Sequence, residues 1–336
     1  MASCIHRALP ALAGLLLLCE PALAADPGVR DNQTLRGTTM AANALPDAGR
    51  LPWITPVSSQ LSAPVQPTFD PGTRLGDRIA RDALAVAMRE ALGGVLLGDS
   101  PALTHTALIG GQAMAARLHA SLDTTQVVLL VDRAPAVQRL WVVIATPGRP
   151  WEQIGSVRVS TGKPGRKEHF RTPVGVFVND TGIVGYRALG TYNENHIRGN
   201  GTKGMRVWDF GWQTTDDWRT KGFPMAVRME MHATDPANME SRLGRWDSEG
   251  CIRIPSKFNT FIDQRGLIDA RLRAAATAGD RRFAALLPKG GRPSALAGSV
   301  VVVIDSSDPG AAPSDPVRAN LMEHPVTPPV EHEDAG

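Results

Sequence analysis

Cysteine is scarce in this sequence of 336 residues, which contains three. Cys4 and Cys19 lie within the first two dozen residues, so Cys251 is the single cysteine of the remaining chain. A lone cysteine excludes a disulfide within that part of the protein. Its thiol is therefore buried and inert, paired between two chains, or chemically active.

The sequence also lacks the usual signatures of metal and nucleotide sites. It has no Cys-x-x-Cys or His-Glu-x-x-His pattern, no phosphate loop and no dinucleotide fingerprint. The cluster His332, Glu333 and Asp334 stands in a proline-rich acidic tail that is predicted to be disordered. We therefore expect no cofactor and no metal.

Long apolar runs are missing as well. The apolar stretch at residues 8–19 is too short to span a bilayer. It follows two basic residues and precedes Ala22 and Ala24, which occupy the small-residue positions of a signal-peptidase site. Residues 1–24 are thus predicted to be a cleaved export signal. This predicts a periplasmic or cell-envelope protein with no transmembrane segment after cleavage.

Charge is distributed unevenly along the chain. The net charge is +3, but residues 305–336 carry seven acids and one arginine, a net of −6, which leaves +9 on the rest. A basic body suits an anionic polymer or membrane surface, or belongs to an alkaline protein with no charged partner. Nucleic acid is not an expected partner, because the protein is predicted to be exported and lacks an interleaved aromatic and basic motif. Residues 305–336 are predicted to be a disordered acidic tail.

Residues 25–125 divide into two segments. Residues 25–71 are rich in Pro, Ala, Ser and Thr without a sustained period, which indicates a linker or irregular arm. Apolar residues then recur at helical spacing over 75–92, and Gly93-Gly94 stops the pattern. A second apolar stretch over 102–122 is also predicted to be helical. Residues 72–125 therefore form a helical N-terminal region.

Strands are predicted from residue 126 onward. β-branched and apolar runs recur with turn residues between them, at 127–132, 138–144, 155–160, 171–177, 225–231 and 299–304. This order favours a mainly β domain over 126–304 rather than alternating βαβ units.

The order of these segments resembles that of a known enzyme family. The segments VVLLVD, QRLWVV, STGKPG and TPVGVF, then His232 and SEGCIRI, stand in the order found in the L,D-transpeptidases, whose catalytic domain is called YkuD-like. The most specific part is His232, fifteen intervening residues, and Ser248-Glu249-Gly250-Cys251. The family usually has Ser/Thr-His-Gly-Cys there, so Glu249 departs from its pattern. Ala233 also stands where glycine is common.

The motif contains most of what acyl transfer from an amide requires. Such a reaction needs a nucleophile, a base and donors for the oxyanion. Cys251 supplies a thiol, and His232, at the end of a predicted strand, is a candidate base. Gly250 lets backbone amides approach a substrate. Arg253 either binds a substrate carboxylate or pairs with a nearby acid, and Ser248 either orients the histidine or caps a turn.

Residues 179–224 are rich in Gly, Asn, Trp and Tyr and look too polar for a core strand pair. In the family a comparable segment caps the cleft, so the resemblance implies a capping insertion here. Its aromatic side chains, Tyr192 and Trp208 among them, suit a substrate of sugars and peptides. The alternative is a surface hairpin with its own small aromatic cluster.

The resemblance implies a mixed β-sheet sandwich with a few helices and an enzyme that acts on peptidoglycan stem peptides. Cys251 would attack the bond between a diamino acid and terminal D-alanine to form a thioester. An amine acceptor then gives a cross-link, water gives carboxypeptidase activity, and a D-amino acid gives exchange. Carbapenems are implied inhibitors. A wall-binding protein with a degenerate site remains the alternative, because Glu249 near the thiol would disfavour the thiolate.

Overall fold

The computed structural model describes residues 72–217 and 219–315. The predicted export signal, the arm at 25–71, Trp218 and the last part of the acidic tail lie outside these residues. Within the described ranges the chain forms two mixed sheets and five α-helices, a mixed α/β fold. No helix in this part is long and apolar enough to cross a membrane.

The five helices frame the strand-rich middle of the chain. Their bounds are α1 Arg74–Leu92, α2 Pro101–Arg117, α3 Ser256–Arg265, α4 Ala270–Thr277 and α5 Arg281–Leu286. Helix α1 starts where the Thr73 side chain accepts the Gly76 N–H, and α2 starts where Ser100 accepts the Leu103 N–H. These caps satisfy amides that have no partner inside a helix. The spacing of apolar residues therefore coincides with two real helices in the N-terminal region.

The first sheet has the strand order β3-β2-β1-β9-β4. Its strands are β1 Gln126–Asp132, β2 Arg139–Ala145, β3 Glu152–Arg158, β4 Gly175–Val178 and β9 Val300–Ile304. Strand β9 runs parallel to β1, and the other pairs are antiparallel. Both faces are covered, since Val128 and Leu130 pack toward α2 while Val127 and Leu129 pack toward the second sheet. Burial on both sides explains the uninterrupted apolar runs of β1 and β9.

The second sheet has the order β5-β6-β7-β8 and positions the candidate site. Its strands are β5 Tyr186–Arg187, β6 Arg206–Asp216, β7 Pro224–Ala233 and β8 Ile252–Ile254. Strand β8 runs parallel to β7, and the other pairs are antiparallel. One face of this sheet joins α3 and the first sheet in the main core, where Trp208, Met229 and Met231 are fully buried.

The expected capping insertion at 179–224 needs correction. Residues 206–216 form β6, an inner strand of the second sheet, and Val207 and Trp208 have no exposed surface. Polar residues at alternate positions made this strand look like a surface segment, because one of its faces carries polar groups while the other joins the core. The part between β5 and β6 is a loop.

The predicted boundary of the disordered tail also needs correction. Asp305 is buried and pairs with Arg133 at 2.9 Å, and both side chains are more than nine-tenths buried. Farther on, the Ser314 N–H donates to the Val174 carbonyl, and the Thr214 N–H donates to the Asp315 carbonyl. Residues 305–315 thus belong to the folded body. Composition concealed this, because an acidic and proline-rich segment is held here by ion pairs and backbone bonds rather than by apolar burial.

Candidate active site

The alternation of strand β7 creates the site. Met229, Met231 and Ala233 are buried toward the core, so Glu230 and His232 project from the opposite face. Strand β6 contributes Asp209 to that same face, because it pairs directly with Glu230. One face of the second sheet therefore carries titratable side chains while the other is apolar.

Strand β8 brings the cysteine to this face. His232 pairs with Arg253 and Met231 with Ile252 in parallel register. Continuing that register by one residue sets Cys251 beside Glu230. Alternation then places Cys251 and Arg253 on the face of Glu230 and His232, with Cys251 and His232 as diagonal neighbours across two adjacent strands. The structure thus brings together the two residues for which the sequence predicts attack and activation.

The loop that carries the cysteine is braced by the turn that follows β3. The Ser248 N–H donates to the Thr161 carbonyl at 2.9 Å, and the Lys163 N–H donates back to the Ser248 carbonyl at 2.9 Å. Beside them, the Arg253 N–H donates to the Ser160 carbonyl at 2.9 Å, and the Arg253 carbonyl accepts the Ser160 N–H at 3.0 Å. The segments STGKPG and SEGCIRI are therefore two sides of one hydrogen-bonded unit.

Thr172 is the third part of this brace. Its buried hydroxyl accepts the Gly162 N–H at 2.7 Å and donates to the Gly250 carbonyl at 2.8 Å. Gly162 must be glycine, since a Cβ there would lie 2.0 Å from the Phe170 carbonyl oxygen. The TPVGVF segment thus holds the backbone immediately before the nucleophile.

Both the backbone angle and the close packing at position 250 require glycine. Its φ of +137° lies in a region that side chains rarely adopt, and a Cβ there would come 2.9 Å from Val227. Its N–H donates to the Ser248 hydroxyl over a long 3.3 Å, while that hydroxyl donates to the Cys251 carbonyl at 2.6 Å. Ser248 therefore caps the turn, which is one of the two roles that the sequence predicts for it. Because it is fully buried, its assignment as a substrate-binding residue needs correction.

The Cys251 thiol is neutral in this arrangement. The pKa of the thiol is raised to about 12, chiefly by burial and then by the Glu230 carboxylate, whereas the Glu230 backbone N–H and Arg253 oppose the rise. The thiol donates a weak hydrogen bond to the Arg228 carbonyl, with 3.9 Å between sulfur and oxygen. The sulfur thus leans along β7 toward Arg228.

His232 is neutral as well. The pKa of its imidazole is lowered to about 4, chiefly by burial and in smaller part by Arg253, while the bond to the Ala233 carbonyl opposes the fall. The Nδ1 atom lies 2.7 Å from the Ala233 carbonyl oxygen, which only accepts hydrogen bonds, so Nδ1 carries the proton. The Nε2 atom consequently keeps a lone pair and has the form that a general base requires.

These pKa directions favour a neutral thiol and a neutral imidazole over a resting ion pair of thiolate and imidazolium. Such a pair requires the thiol to be the stronger acid of the two, and here its pKa lies far above that of the imidazole. The hydrogen bond of the thiol also goes to Arg228 rather than to His232. Rotation of Cys251 about its Cα–Cβ bond is the motion that would turn the sulfur from Arg228 toward His232.

Glu230 is a site residue that the sequence interpretation missed. Both of its carboxylate oxygens accept the Tyr186 hydroxyl, at 3.1 and 3.2 Å, and Asn200 donates to the same hydroxyl at 3.0 Å. Burial raises the pKa of Glu230, the Tyr186 bond lowers it and neighbouring Asp209 raises it. The signal was present in the alternation of β7, where Glu230 shares the face of His232.

An ion pair lies next to this carboxylate. Arg228 donates through Nη2 and Nε to one oxygen of buried Asp209, at 2.5 and 3.0 Å. The other Asp209 oxygen accepts the Gly211 N–H at 2.8 Å. Both charges of this pair are therefore largely satisfied by each other and by backbone.

The remaining predicted contacts divide into three cases. Arg253 donates to the backbone carbonyl of Asp247 at 3.0 Å and lies on the face of the thiol. Tyr192 is half exposed on the loop between β5 and β6, with the Arg198 guanidinium 4.1 Å from its ring centre. Trp208 is fully buried, and its indole N–H donates to Asp269, so its assignment as a substrate contact needs correction. It lies on the core face of β6.

The exposed side chain of Glu249 is not the main influence on the pKa of Cys251. Its carboxylate ranks below burial and Glu230 among the influences on the Cys251 pKa, and its backbone carbonyl accepts the Phe170 N–H. The carboxylate beside the nucleophile is Glu230.

The described residues include no group of three or more histidine, cysteine or acidic side chains placed to hold a metal ion. No family model matches the sequence, and a search of the curated proteins finds no match.

Proposed function

We propose that this protein is an exported cysteine acyltransferase of the L,D-transpeptidase type that acts on peptidoglycan stem peptides. The observation that carries the proposal is the joint placement of Cys251 and His232 on one face of two adjacent strands, with a glycine of positive φ before the cysteine. The resemblance of the motif order to that family supplies the substrate class.

Acylation would begin from the neutral Cys251 thiol and the neutral His232 imidazole. The thiol proton moves to Nε2 of His232 as the sulfur attacks the carbonyl carbon of the bond before terminal D-alanine. The C–S bond forms, the C–N bond breaks, and the leaving amine takes the proton from the imidazolium. The long bond from the Gly250 N–H to Ser248 makes this amide a donor that an oxyanion can recruit.

The acyl-enzyme is a thioester, and its acceptor defines the product. A side-chain amine of another stem peptide gives a cross-link, water gives a shortened peptide, and a D-amino acid gives an exchanged peptide. A carbapenem would acylate the same sulfur. Arg253 and Tyr192 are the candidate contacts for the donor peptide.

A wall-binding protein without turnover is the second candidate. It is favoured by the thiol itself, whose pKa is raised to about 12 and whose hydrogen bond goes to Arg228 rather than to the base. A thiol that stays neutral and turned away is a poor nucleophile.

Incubation of the purified protein with disaccharide tetrapeptide, followed by mass spectrometry, separates these functions. Cross-linked dimer indicates a transpeptidase, tripeptide indicates a carboxypeptidase, and unchanged substrate that still co-purifies with the protein indicates a binding protein. Cys251→Ala is the control, because it removes the nucleophile and should abolish every product. Product formed by the alanine variant would refute the assignment.

A further inference from the structure

The most unusual group on the site face is the Glu230 carboxylate. Extending the paired register of β7 and β8 by one residue sets it beside the nucleophile, and its bonded partner is the neutral phenol of Tyr186. None of the ion pairs formed by the described residues includes Glu230, although two arginines lie on the same face of the sheet. The carboxylate is half-buried, so it is neither fully hydrated nor neutralised.

Neither neighbouring arginine forms an ion pair with Glu230. Arg228 gives two donors to Asp209, which is buried and would be left as an unpaired charge if the arginine moved away. Arg253 donates to the backbone carbonyl of Asp247. Glu230 is therefore the acid on this face whose charge is left for a partner from outside the chain.

If Glu230 had no role except to lie beside the thiol, its charge would be unfavourable for catalysis. Its charge raises the pKa of Cys251, which makes the nucleophile harder to ionise. A positively charged substrate group would reverse this cost, because it would neutralise the carboxylate at the moment of reaction. The Tyr186 phenol holds both carboxylate oxygens in place, and Asn200 holds the phenol.

We propose that Glu230, positioned by Tyr186, is the subsite that binds the ammonium group of the acyl acceptor next to the Cys251 thioester. This inference rests on the proposed acyl-transfer function and adds the chemical class of the acceptor. A charge-assisted bond to an ammonium ion favours amines over neutral nucleophiles.

The Glu230 carboxylate also accepts one of the two protons that the acceptor ammonium loses when it attacks the thioester. The acceptor ammonium gives a proton to Glu230 and becomes a nucleophilic amine. Its lone pair attacks the thioester carbonyl carbon, the C–N bond forms and the C–S bond breaks. The second proton passes from nitrogen through His232 to the sulfur, which restores the thiol, and Glu230 then releases its proton to solvent.

The test measures how one acyl-enzyme divides between two nucleophiles. Tetrapeptide donor is supplied together with D-methionine, which carries an ammonium group, and hydroxylamine, which is uncharged at neutral pH. The ratio of the two products, read by mass spectrometry, does not depend on the rate of acylation. Glu230→Gln should lower the ratio of D-methionine product to hydroxamate by about tenfold or more, as expected for loss of a charged contact.

Glu249→Gln is the matched control, because it removes an exposed carboxylate two residues from the same cysteine. It should leave the ratio within about twofold, since a solvated charge contributes little to a neighbouring site. Equal ratios in the wild-type protein and Glu230→Gln would overturn the subsite while leaving acyl transfer intact. Absence of any acyl-enzyme in the wild-type protein would overturn the proposed function and this inference with it.

Tyr186→Phe provides an independent measurement if Glu230→Gln does not fold. The phenol bond lowers the Glu230 pKa, so its loss should raise that pKa. The D-methionine product needs the charged carboxylate, so its share should begin to fall at a higher pH in Tyr186→Phe than in the wild-type protein as the solution is acidified. Superimposable pH profiles would contradict the proposal.

Discussion

The Thr172 hydroxyl donates a hydrogen bond of 2.8 Å to the Gly250 carbonyl, one residue before the nucleophile. It also accepts the Gly162 N–H, so one buried side chain joins the turn after β3 to the loop of the cysteine. A residue far from the chemistry in sequence thereby fixes the backbone on which the nucleophile sits.

Thr172→Val keeps the shape of this side chain and removes the hydroxyl. The Gly162 N–H and Gly250 carbonyl then lose their partner, and a buried unsatisfied group costs about 1–3 kcal/mol. We expect a lower free energy of unfolding, measured by urea denaturation, and slower acylation of Cys251, measured by intact mass. Thr172→Ser is the control and should restore both. A valine variant with wild-type stability would show that the bridge is dispensable.

The sequence was most informative where the pattern and the packing agree. Strands β1 and β9 are buried on both faces, so their uninterrupted apolar runs predict them, whereas the helical period of α1 arises because one face, with Leu84, Met88 and Leu92, is buried. Strand β6 was missed, because its outer face carries Asp209 while its inner face carries Trp208, and composition averages the two faces together.

Prediction from the sequence was incomplete at the candidate site too. Cys251 and His232 were identified from their motif, whereas Glu230 was overlooked although strand alternation places it on the face of His232. Glu249 is the acid nearest to the cysteine in sequence, but its side chain is exposed. The pairing of β7 with β8 decides which carboxylate lies beside the thiol, and that long-range register is not encoded in local spacing.

His232→Ala should separate turnover from resting reactivity. Loss of a general base costs roughly 10²–10⁴-fold in rate, so peptide turnover should fall by that factor or below detection. Labelling of Cys251 by iodoacetamide at neutral pH should change by less than about threefold, because the resting thiol does not form an ion pair with the imidazole. Much slower labelling of the variant would show that His232 already activates the free thiol.

The pH dependence of alkylation tests which carboxylate acts on the thiol. The thiolate is the reactive form, and a pKa raised to about 12 means that labelling should keep accelerating as the pH rises through 9 and 10. Glu230→Gln removes a charge that disfavours the thiolate, so the pKa should fall and labelling at pH 8 should become faster, roughly tenfold for each unit of pKa.

Glu249→Gln is the comparison for that experiment. Its carboxylate is exposed and raises the pKa of the thiol less than Glu230 does, so the labelling profile should nearly overlay that of the wild-type protein. If Glu249→Gln shifts the profile more than Glu230→Gln does, Glu230 is not the carboxylate beside the thiol in solution, and the register that places it there is wrong.

Truncation after Ile304 should destabilise the protein, contrary to the expectation from tail composition. It removes Asp305, whose carboxylate pairs with buried Arg133 at 2.9 Å, and it removes the backbone bonds of residues 314 and 315 to Val174 and Thr214. Breaking one partner of a buried pair costs about 3–5 kcal/mol, because the remaining charge stays desolvated. Thermal unfolding followed by circular dichroism should show a clearly lower melting temperature.

Truncation after Asp315 is the matched control for this prediction. It removes most of the acidic tail but keeps the Asp305 pair and the bonds of Ser314 and Asp315. Its melting temperature should therefore stay close to that of the full chain, so a difference between the two truncations isolates residues 305–315. If both truncations melt like the full chain, Arg133 is not left as an uncompensated buried charge when Asp305 is removed, and residues 305–315 contribute no measurable stability.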